Sequence, residues 1–463
     1  MSLDINSVIK DRNGQSYKVT KKLGEGGQAP VFKVEAVKSK KEFALKVYKD
    51  KSNVNNIARL CGTDFKDAKG NPENRIVPPL FMVDNIDGDT NGFGYIMKAV
   101  DLKECTTLNE ALCNSGEYPN RRALCKVIKN LTMAFNSIHL VGGLCYKDIN
   151  AGNIFFNPKN GDVFVIDNDN IGSAEKTEIL GTAGYMAPEV LMGDMPDNRT
   201  DLFSLAVYIF NLLIGCNPFY GKRAEAYCLK EGCCLLDMEA MKEYIGKTPL
   251  FIFHPSDTGN SVDGFKDSED AANSVHQKAR WNALPQTVKD AFIKTFVTAL
   301  PKDKRANRTS AHKWHDVFDD LEKSLVKCQH CKADNFDAGA SCCSCGKKLS
   351  PSGAPTVPKV IARLNVVDSG RTTGVVIDIV SAGQRLTAKD FGSQFAGENV
   401  SVEVYYDAVH NVYGLKNIGP KEWYTKRQTD NAVVPVNPQQ AAALINGRII
   451  AFVRGKLQIE VKI

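Results

Sequence analysis

Asp148, Asn153 and Asp167 are the residues whose types and spacing most directly suggest chemistry. Asp148 and Asn153 stand five positions apart in YKDINAGNIFF, and Asp167 ends the apolar run of VFVIDND. A carboxylate and an amide at this spacing suit a general base and a metal ligand, and a carboxylate at a strand end is a natural ligand of Mg²⁺. We therefore expect Asp148 to accept a proton and Asn153 and Asp167 to hold magnesium.

A glycine-rich turn and a lysine precede these residues. LGEGGQAPVFKV places Gly24 and Gly26 between two strands, and FALKVY places Lys46 inside an apolar strand. Glycine lets backbone N–H groups approach phosphates, although such a hairpin is more often only a turn. A lone lysine in a strand is commonly an edge residue, but after this hairpin it is the expected partner of the α- and β-phosphates. Together the segments predict phosphoryl transfer with ATP and Mg²⁺, or Mn²⁺, as cofactors.

In their order, and with GTAGYMAPE after them, these segments resemble the eukaryotic-like protein kinase family over residues 10–322. The resemblance implies an α+β, two-lobed kinase domain that transfers the γ-phosphate of ATP to serine or threonine hydroxyls of a protein substrate. It also makes YIMKAV the hinge, with Met97 as the gatekeeper and the backbone of Lys98 and Val100 facing adenine.

The resemblance extends to structural and regulatory positions. It implies that Asp201 braces the catalytic loop and that Glu189 pairs with Arg308. Lys147 stands where the family often carries an arginine that binds an activation-loop phosphate. Thr177 is therefore the candidate acceptor of a regulatory phosphate, which would add nearly two negative charges and order the loop.

The chain departs from the family pattern at several positions. The replacements are Ala29 for the third glycine of the loop, Tyr146 and Lys147 for the His-Arg before the base, Asn150 for the lysine after it, and Asn168 and Asp169 for the Phe-Gly after the metal-binding aspartate. The family also carries a glutamate that pairs with the lysine, on a helix that corresponds to SNVNNIARLCGTDFKD. That segment offers only Asp64 and Asp67, beyond a glycine.

These departures keep a second function open and indicate a branch of the family. The alternative is a nucleotide-binding pseudokinase that acts as a signalling scaffold, supported by the missing glutamate and the altered Asp-Asn-Asp motif. The changes resemble a divergent bacterial branch, and that resemblance gives a PP2C-type phosphatase and a von Willebrand A-type protein as partners.

Thr182, in GTAGY, is expected to lie near the base and to help present a hydroxyl substrate.

Four of the 14 cysteines form two closely spaced pairs, Cys328 with Cys331 and Cys342 with Cys345. Two pairs with a two-residue gap can surround one Zn²⁺ tetrahedrally, and four protein ligands leave no open position for catalysis. We therefore predict a structural zinc ribbon over residues 326–348. Cys343 is outside the ligand set unless the choice of ligand slips by one residue.

The remaining sequence differs again. The stretch SPSGAPTVPK has the composition of a linker, which we place at residues 349–358, and residues 359–463 contain short alternating segments typical of a β-sandwich. YGLKNIGPKEWY through LINGRIIAF loosely resembles the second half of a forkhead-associated domain, a family that binds phosphothreonine through an Arg and a Ser on neighbouring loops. That pair cannot be matched here, so a β-sandwich for protein contacts is the favoured interpretation.

The wider pattern supplies elements that could position the candidate site. Strand-like alternation covers residues 15–48, and helical spacing covers 121–140, 201–214 and 284–299, whereas SDTGNSVDGFKDSED looks like an exposed loop.

A hydrophobic share of 43%, no long apolar run and no apolar leader predict a cytoplasmic protein that does not enter the membrane. A net charge of +6 in 463 residues argues against nucleic acid as the main partner of the ribbon and β domain.

Overall fold

The structure is a computed structural model in which the chain divides into two compact units, residues 1–352 and 353–463. Gly26 and Thr177, two of the residues singled out in the sequence, lie outside the part that the structure describes. The described part omits residues 1–2, 26–28, 50, 52, 87–91, 115, 174–179, 235, 337–340, 350–359, 381, 408–411 and 427–431.

The first unit begins with an antiparallel sheet in the order β1-β2-β3-β4-β6-β5. Its strands are β1 (Val8–Lys10), β2 (Ser16–Glu25), β3 (Pro30–Ala36), β4 (Glu42–Tyr48), β5 (Pro79–Asp84) and β6 (Phe93–Lys98). β4 lies between β3 and β6, so that Lys46 pairs with Val31 on one side and Tyr95 on the other. The strands predicted around the glycine turn are thereby confirmed. A short helix, α1 (Val54–Leu60), buries Ile57 against residues of this sheet and Leu60 in the core of the helical lobe.

The second lobe is largely helical. Its helices are α2 (Leu108–Cys113), α3 (Arg121–Leu140), α4 (Pro188–Leu191), α5 (Asn198–Ile214), α6 (Lys222–Glu231), α7 (Met238–Met241), α8 (Ser268–Ala283), α9 (Gln286–Ile293) and α10 (Ala311–Lys323). π-helical turns extend α7 over Lys242–Lys247 and α9 over Lys294–Thr298. A small sheet joins β7 (Thr106–Thr107), β8 (Ile154–Phe156) and β9 (Val163–Val165). The two-lobed kinase architecture is confirmed.

Helix α5 forms the centre of the helical lobe, and its sequence explains why. The segment is apolar on all sides, which is typical of a helix buried within a lobe. Asp197 caps its first turn by accepting hydrogen bonds from the backbone N–H groups of Arg199 and Thr200. Gly215 ends it with φ 87°, a left-handed conformation that glycine adopts without strain. The helix therefore gives the loops around it a fixed base.

A small ribbon follows α10 within the same unit. Its strands are β10 (Val326–Lys327) and β11 (Asp334–Asn335), which pair antiparallel. Phe336, the next residue, is buried in the core of the helical lobe. The ribbon is thus attached to the kinase core by an aromatic anchor.

The second unit is a β-sandwich, as predicted. One sheet has the order β13-β12-β21-β20-β17-β18 and the other β14-β15-β16-β19, and Leu364 and Val402 contribute to one shared core between them. The strands are β12 (Ala362–Asp368), β13 (Arg371–Ile379), β14 (Arg385–Thr387), β15 (Ser401–Asp407), β16 (Val412–Asn417), β17 (Trp423–Lys426), β18 (Val433–Val436), β19 (Ala441–Ala443), β20 (Ile449–Val453) and β21 (Leu457–Lys462). Across the described residues of both units, no helix combines the length and apolar character needed to cross a membrane.

Candidate active site

The loop before β8 brings together Asp148, Asn150 and Asn153. The side-chain oxygen of Asn150 accepts hydrogen bonds from the backbone N–H groups of Gly152 and Asn153, at 2.8 and 3.1 Å, and so fixes the turn. Asn153 then donates from Nδ2 to the carbonyl and to Oδ2 of Asp148, at 3.0 and 3.2 Å. The amide that replaces the family's lysine therefore shapes the loop that carries the candidate base.

Asp201, at the start of α5, holds the other end of this loop. Its buried carboxylate accepts hydrogen bonds from the backbone N–H groups of Tyr146, at 2.6 Å, and Lys147, at 2.9 Å. His139 of α3 contacts the same carboxylate at 3.0 Å. Hydrogen bonds to a charged acceptor are among the stronger ones in proteins, so these contacts are the brace that the sequence predicts.

Lys46 lies at the junction of the two lobes and contacts two carboxylates. Its ammonium group donates to Asp167 Oδ1, and both oxygens of Asp169 lie 3.2 Å from Nζ. Lys46 is 3% exposed and Asp169 is fully buried, whereas the side chain of Asp167 is 28% exposed. Burial opposes the charge of the lysine, but nearby Tyr95, Asp169 and Asp167 together raise its pKa above the usual 10.5. Lys46 is therefore a cation at neutral pH.

Helix α1 contacts this cluster through asparagines rather than a carboxylate. Asn56 donates from Nδ2 to the carbonyl oxygens of Asp169 and Ile171, both at 2.9 Å, and Asn53 donates to the carbonyl of Asp169 at 3.2 Å. Asp64 and Asp67, the acids of the segment, lie beyond the end of the helix, where Asp64 pairs with Lys66. The partner that the sequence could not supply for Lys46 is Asp169.

Two residues beside the site have left-handed backbones. Lys147 has φ 73° and Asp167 has φ 59°, a conformation that is uncommon for residues with side chains and that persists where surrounding contacts enforce it. Tyr146 supplies one such contact, because its buried hydroxyl donates to the carbonyl of Ile166, next to Asp167. Tyr146 thus connects the catalytic loop to the turn that carries Asp167, and no sequence pattern predicts this link.

The structure fits the nucleotide and the metal that the sequence implies. Asp167 is the partly exposed carboxylate of the cluster, and the hydrogen bonds of Asn153 to described residues use Nδ2, so an amide oxygen and a carboxylate are available to a hard cation. Gly24, opposite Val31, has open space where a Cβ would lie. In the segment predicted as the hinge, Met97 is half-buried, exposed Lys98 ends β6, and Val100 lies just beyond the strand.

The predicted pair of Glu189 and Arg308 is present in the helical lobe. The guanidinium binds the carboxylate through two hydrogen bonds of 2.6 and 2.9 Å, and both side chains are buried. Arg308 also donates to the carbonyl of Arg199 at the start of α5. The pair therefore ties the segment after the active site to the core of the lobe, as the sequence predicts.

The four paired cysteines form a second candidate site. The Sγ atoms of Cys328, Cys331, Cys342 and Cys345 lie within 4.8 Å of one another, with separations of 3.7 Å for Cys328 and Cys345 and 3.5 Å for Cys331 and Cys342. Four sulfurs placed about 2.3 Å from one zinc ion would be roughly 3.8 Å apart, so the cluster fits this metal.

At the first cysteine of each pair, the backbone favours the thiolate that zinc needs. The N–H of Cys345 lowers the pKa of Cys342 to about 6, and the N–H of Cys331 likewise lowers the pKa of Cys328. Cys343 is exposed, and its thiol points to the carbonyl of Asp334 rather than to the cluster. The geometry therefore groups the four cysteines that the sequence predicts as ligands and leaves Cys343 outside the group.

Comparisons with known proteins indicate the family of the chain. Residues 17–315 match the protein kinase domain family. A probable serine/threonine-protein kinase of Clostridium perfringens is 29% identical over 227 residues, which are 47% of this chain and 31% of that protein. The serine/threonine-protein kinase PrkC of Bacillus subtilis is 25% identical over 230 residues, 48% of this chain and 34% of PrkC. The chain thus spans about a third of the length of these relatives.

The autoinhibited serine kinase domain of the giant muscle protein titin is a similar solved structure, with 17% identity and a TM-score of 0.46 over 68% of this chain and 83% of that one. The family match covers well over half of the 463 residues and contains the whole lysine, loop and aspartate constellation. The chain therefore belongs to the protein kinase family.

Proposed function

We propose that the chain is an active protein kinase that transfers the γ-phosphate of ATP to serine or threonine hydroxyls of a protein substrate. The observation that carries this proposal is the position of Asp148, whose carboxylate is held by Asn153 and by Thr182 at the mouth of the loop. The names of the curated relatives support the choice of serine and threonine.

The chain's residues divide the work of the reaction. Lys46 binds the α- and β-phosphates, and Asn153 and Asp167 hold Mg²⁺ or Mn²⁺, which neutralises charge on the phosphates when bound. Asp148 orients the substrate hydroxyl and takes its proton as the oxygen attacks the γ-phosphorus. The bond from that phosphorus to the bridging oxygen breaks, and ADP leaves with the electron pair. The backbone at Gly24 covers the phosphates, and Met97, Lys98 and Val100 border the adenine.

A pseudokinase scaffold is the second candidate, because α1 lacks the glutamate that usually pairs with the lysine. The pairing of Lys46 with Asp169 weakens this candidate, since the lysine keeps an anionic partner.

Incubation with radiolabelled ATP and Mg²⁺ or Mn²⁺ separates the two candidates. The wild type should label a general protein substrate or itself, whereas Asp148→Asn should lose at least about a hundredfold in rate, which is the usual contribution of a positioned base. Asp162→Asn, an exposed aspartate of the same lobe, is the matched control and should keep full activity. Nucleotide binding without transfer by the wild type would support the scaffold instead.

The other modules are proposed to serve structure and protein contacts. The four cysteines bind one structural Zn²⁺, and the β-sandwich contacts proteins, with forkhead-associated character as the form suggested by resemblance. A PP2C-type phosphatase and a von Willebrand A-type protein are proposed as partners on the resemblance to the bacterial branch alone. A cytoplasmic location is proposed on the clustered spacing of the cysteines between Cys328 and Cys345, which favours metal binding over the disulfide framework of a secreted domain.

A further inference from the structure

Asp169 is a fully buried carboxylate two residues after Asp167. It lies in the 3₁₀ turn Asn168–Asn170, and both of its oxygens are 3.2 Å from Nζ of Lys46. Among the described residues, Lys46 is the cation that pairs with it. A buried carboxylate is costly unless a cation and hydrogen bonds compensate it, so the position of Asp169 depends on the lysine.

The two carboxylates beside Lys46 differ in what they can reach. Asp167 is partly exposed and can turn toward a metal ion bound with the phosphates. Asp169 faces the interior between the turn and α1, and Asn53 and Asn56 hold its backbone carbonyl. When Asp167 binds a metal, Asp169 is the carboxylate that remains beside the lysine.

We infer that Asp169 is the positioning residue for Lys46 and takes the place of the glutamate that protein kinases usually carry on the helix after the lysine strand. The inference rests on the proposed function, because Lys46 is positioned for the phosphates of ATP. Asp169 does not touch the nucleotide and acts through the lysine. The acid lies not on α1 but in the turn of residues 167–170, called here the metal-binding turn after the proposed role of Asp167. Asn53 and Asn56 hold this turn with neutral amides.

This arrangement changes how the site can be assembled. In kinases with a helix glutamate, the ion pair forms only when the helix is in place, and the metal-binding aspartate is a separate requirement. Here the anionic partner of the lysine and the metal ligand lie in one short segment of backbone. The turn and β4 are therefore sufficient to place both groups, while α1 supports the turn through the carbonyl of Asp169.

A double-mutant cycle on ligand binding tests the inference. Asp169→Asn, Lys46→Met and the double variant are made in the full chain, and the affinity for ATP with Mg²⁺ is measured by calorimetry. Asp169→Asn should weaken binding about tenfold in the wild-type background, the effect of a lost charged hydrogen bond. In the Lys46→Met background it should cause no further loss. Asp194→Asn, an exposed carboxylate paired with Arg305, is the matched control and should bind as the wild type does.

Thermal unfolding of the ligand-free variants gives a second readout that needs no nucleotide. Lys46→Met leaves the buried carboxylate of Asp169 unpaired and should lower the melting temperature by roughly 10 °C. Adding Asp169→Asn should recover part of that loss.

Three results would overturn the inference. The first is a loss of ATP affinity on Asp169→Asn that is equal in the wild-type and Lys46→Met backgrounds. The second is an unchanged ATP affinity of Asp169→Asn in the wild-type background, and the third is a double variant no more stable than Lys46→Met. Both readouts are independent of phosphoryl transfer, so a wild type that binds ATP without transferring phosphate would refute the proposed activity and still leave the role of Asp169 measurable.

Discussion

Thr182 donates a hydrogen bond of 2.5 Å from its hydroxyl to Oδ1 of Asp148, and the same hydroxyl accepts one of 2.9 Å from the amide of Asn150. These two hydrogen bonds join Thr182, in the segment between Asp167 and Glu189, to the candidate base Asp148. The sequence predicts this position of Thr182 near the base. The hydroxyl lies where it can keep the carboxylate pointing toward an incoming substrate. The contact should therefore matter for catalysis more than for folding.

Replacing Thr182 by alanine should lower kcat by about tenfold to a hundredfold, because a hydrogen bond to a charged group contributes about 1.5–3 kcal/mol. KM for ATP should change little, since Lys46 and Asp167, the residues proposed to bind the nucleotide and its metal, are unchanged. Steady-state kinetics on a serine- or threonine-containing peptide measure both quantities. Thr182→Ser keeps the hydroxyl and is the matched control. Equal activity of Thr182→Ala and the wild type would contradict this role.

Tyr146→Phe should impair both stability and catalysis. Burial raises the pKa of Tyr146 well above 10, so its hydroxyl stays a donor and binds the carbonyl of Ile166. Without it that carbonyl loses its partner at a cost of about 1–3 kcal/mol, and the backbone of Asp167 is less firmly held. Urea unfolding and kcat measure the two effects.

Tyr118→Phe provides the matched control for this prediction. Its hydroxyl also donates to a backbone carbonyl, that of Leu212 near the end of α5, and not to the backbone beside Asp167. Both variants should lose comparable stability, and only Tyr146→Phe should lose kcat. If both lose activity to the same degree, the link between Tyr146 and the metal-binding turn has no catalytic role.

The parts of the site that the sequence predicts are those set by local spacing. Asp148 and Asn153 share one loop, and the two cysteine pairs each lie on one turn, so residue order alone brings them together. The pairing of Lys46 with Asp169 joins residues 123 positions apart. In the sequence Asp169 is recognised only as the residue that replaces the family's glycine. Its pairing with Lys46 depends on how the fold places β4 beside the turn that follows Asp167.

Polar composition conceals one buried polar residue in a segment that is otherwise largely as predicted. SDTGNSVDGFKDSED is largely an exposed loop up to the start of α8, but Asn260 within it is fully buried. Its amide donates to the carbonyls of Phe219 and Leu250, at 2.9 and 2.7 Å. A buried amide that satisfies backbone carbonyls stabilises the interior, and a hydropathy pattern cannot distinguish it from a solvated one. Helix α8 then begins at Ser268 with Asp267 as its cap.

Breaking the pair of Glu189 and Arg308 should strongly destabilise the kinase domain. Arg308→Met removes the guanidinium and leaves a buried carboxylate, with Arg305 as its remaining cation at 3.7 Å, so we expect a loss of about 3–5 kcal/mol in the free energy of unfolding. Lys159→Met, which breaks an exposed pair with Glu104, is the control and should cost less than about 1 kcal/mol. Denaturant unfolding that gives similar values for both variants would contradict the prediction.

The ribbon is joined to the helical lobe by two contacts that make its metal relevant to the kinase domain. Phe336 is buried in the lobe's core, and the guanidinium of Arg121 lies 4.5 Å from the centre of its ring. Arg122 pairs with Asp334 of β11 at 3.2 Å. A ribbon this small has little core of its own, so the metal is expected to hold these residues in place.

Purified protein should therefore contain one Zn²⁺ per chain. Removing the metal with a chelator should lower the melting temperature of the kinase domain by roughly 5 °C, because Phe336 would no longer cover the core. Cys342→Ser should lose the metal and show the same lower transition, because three thiolates hold zinc less tightly than four. Cys343→Ser is the matched control and should retain both zinc and stability, since its thiol faces Asp334. Elemental analysis and calorimetry measure the two quantities. Loss of zinc from Cys343→Ser would show that the ligand set is shifted, and an unchanged transition after chelation would show that the ribbon does not support the kinase core.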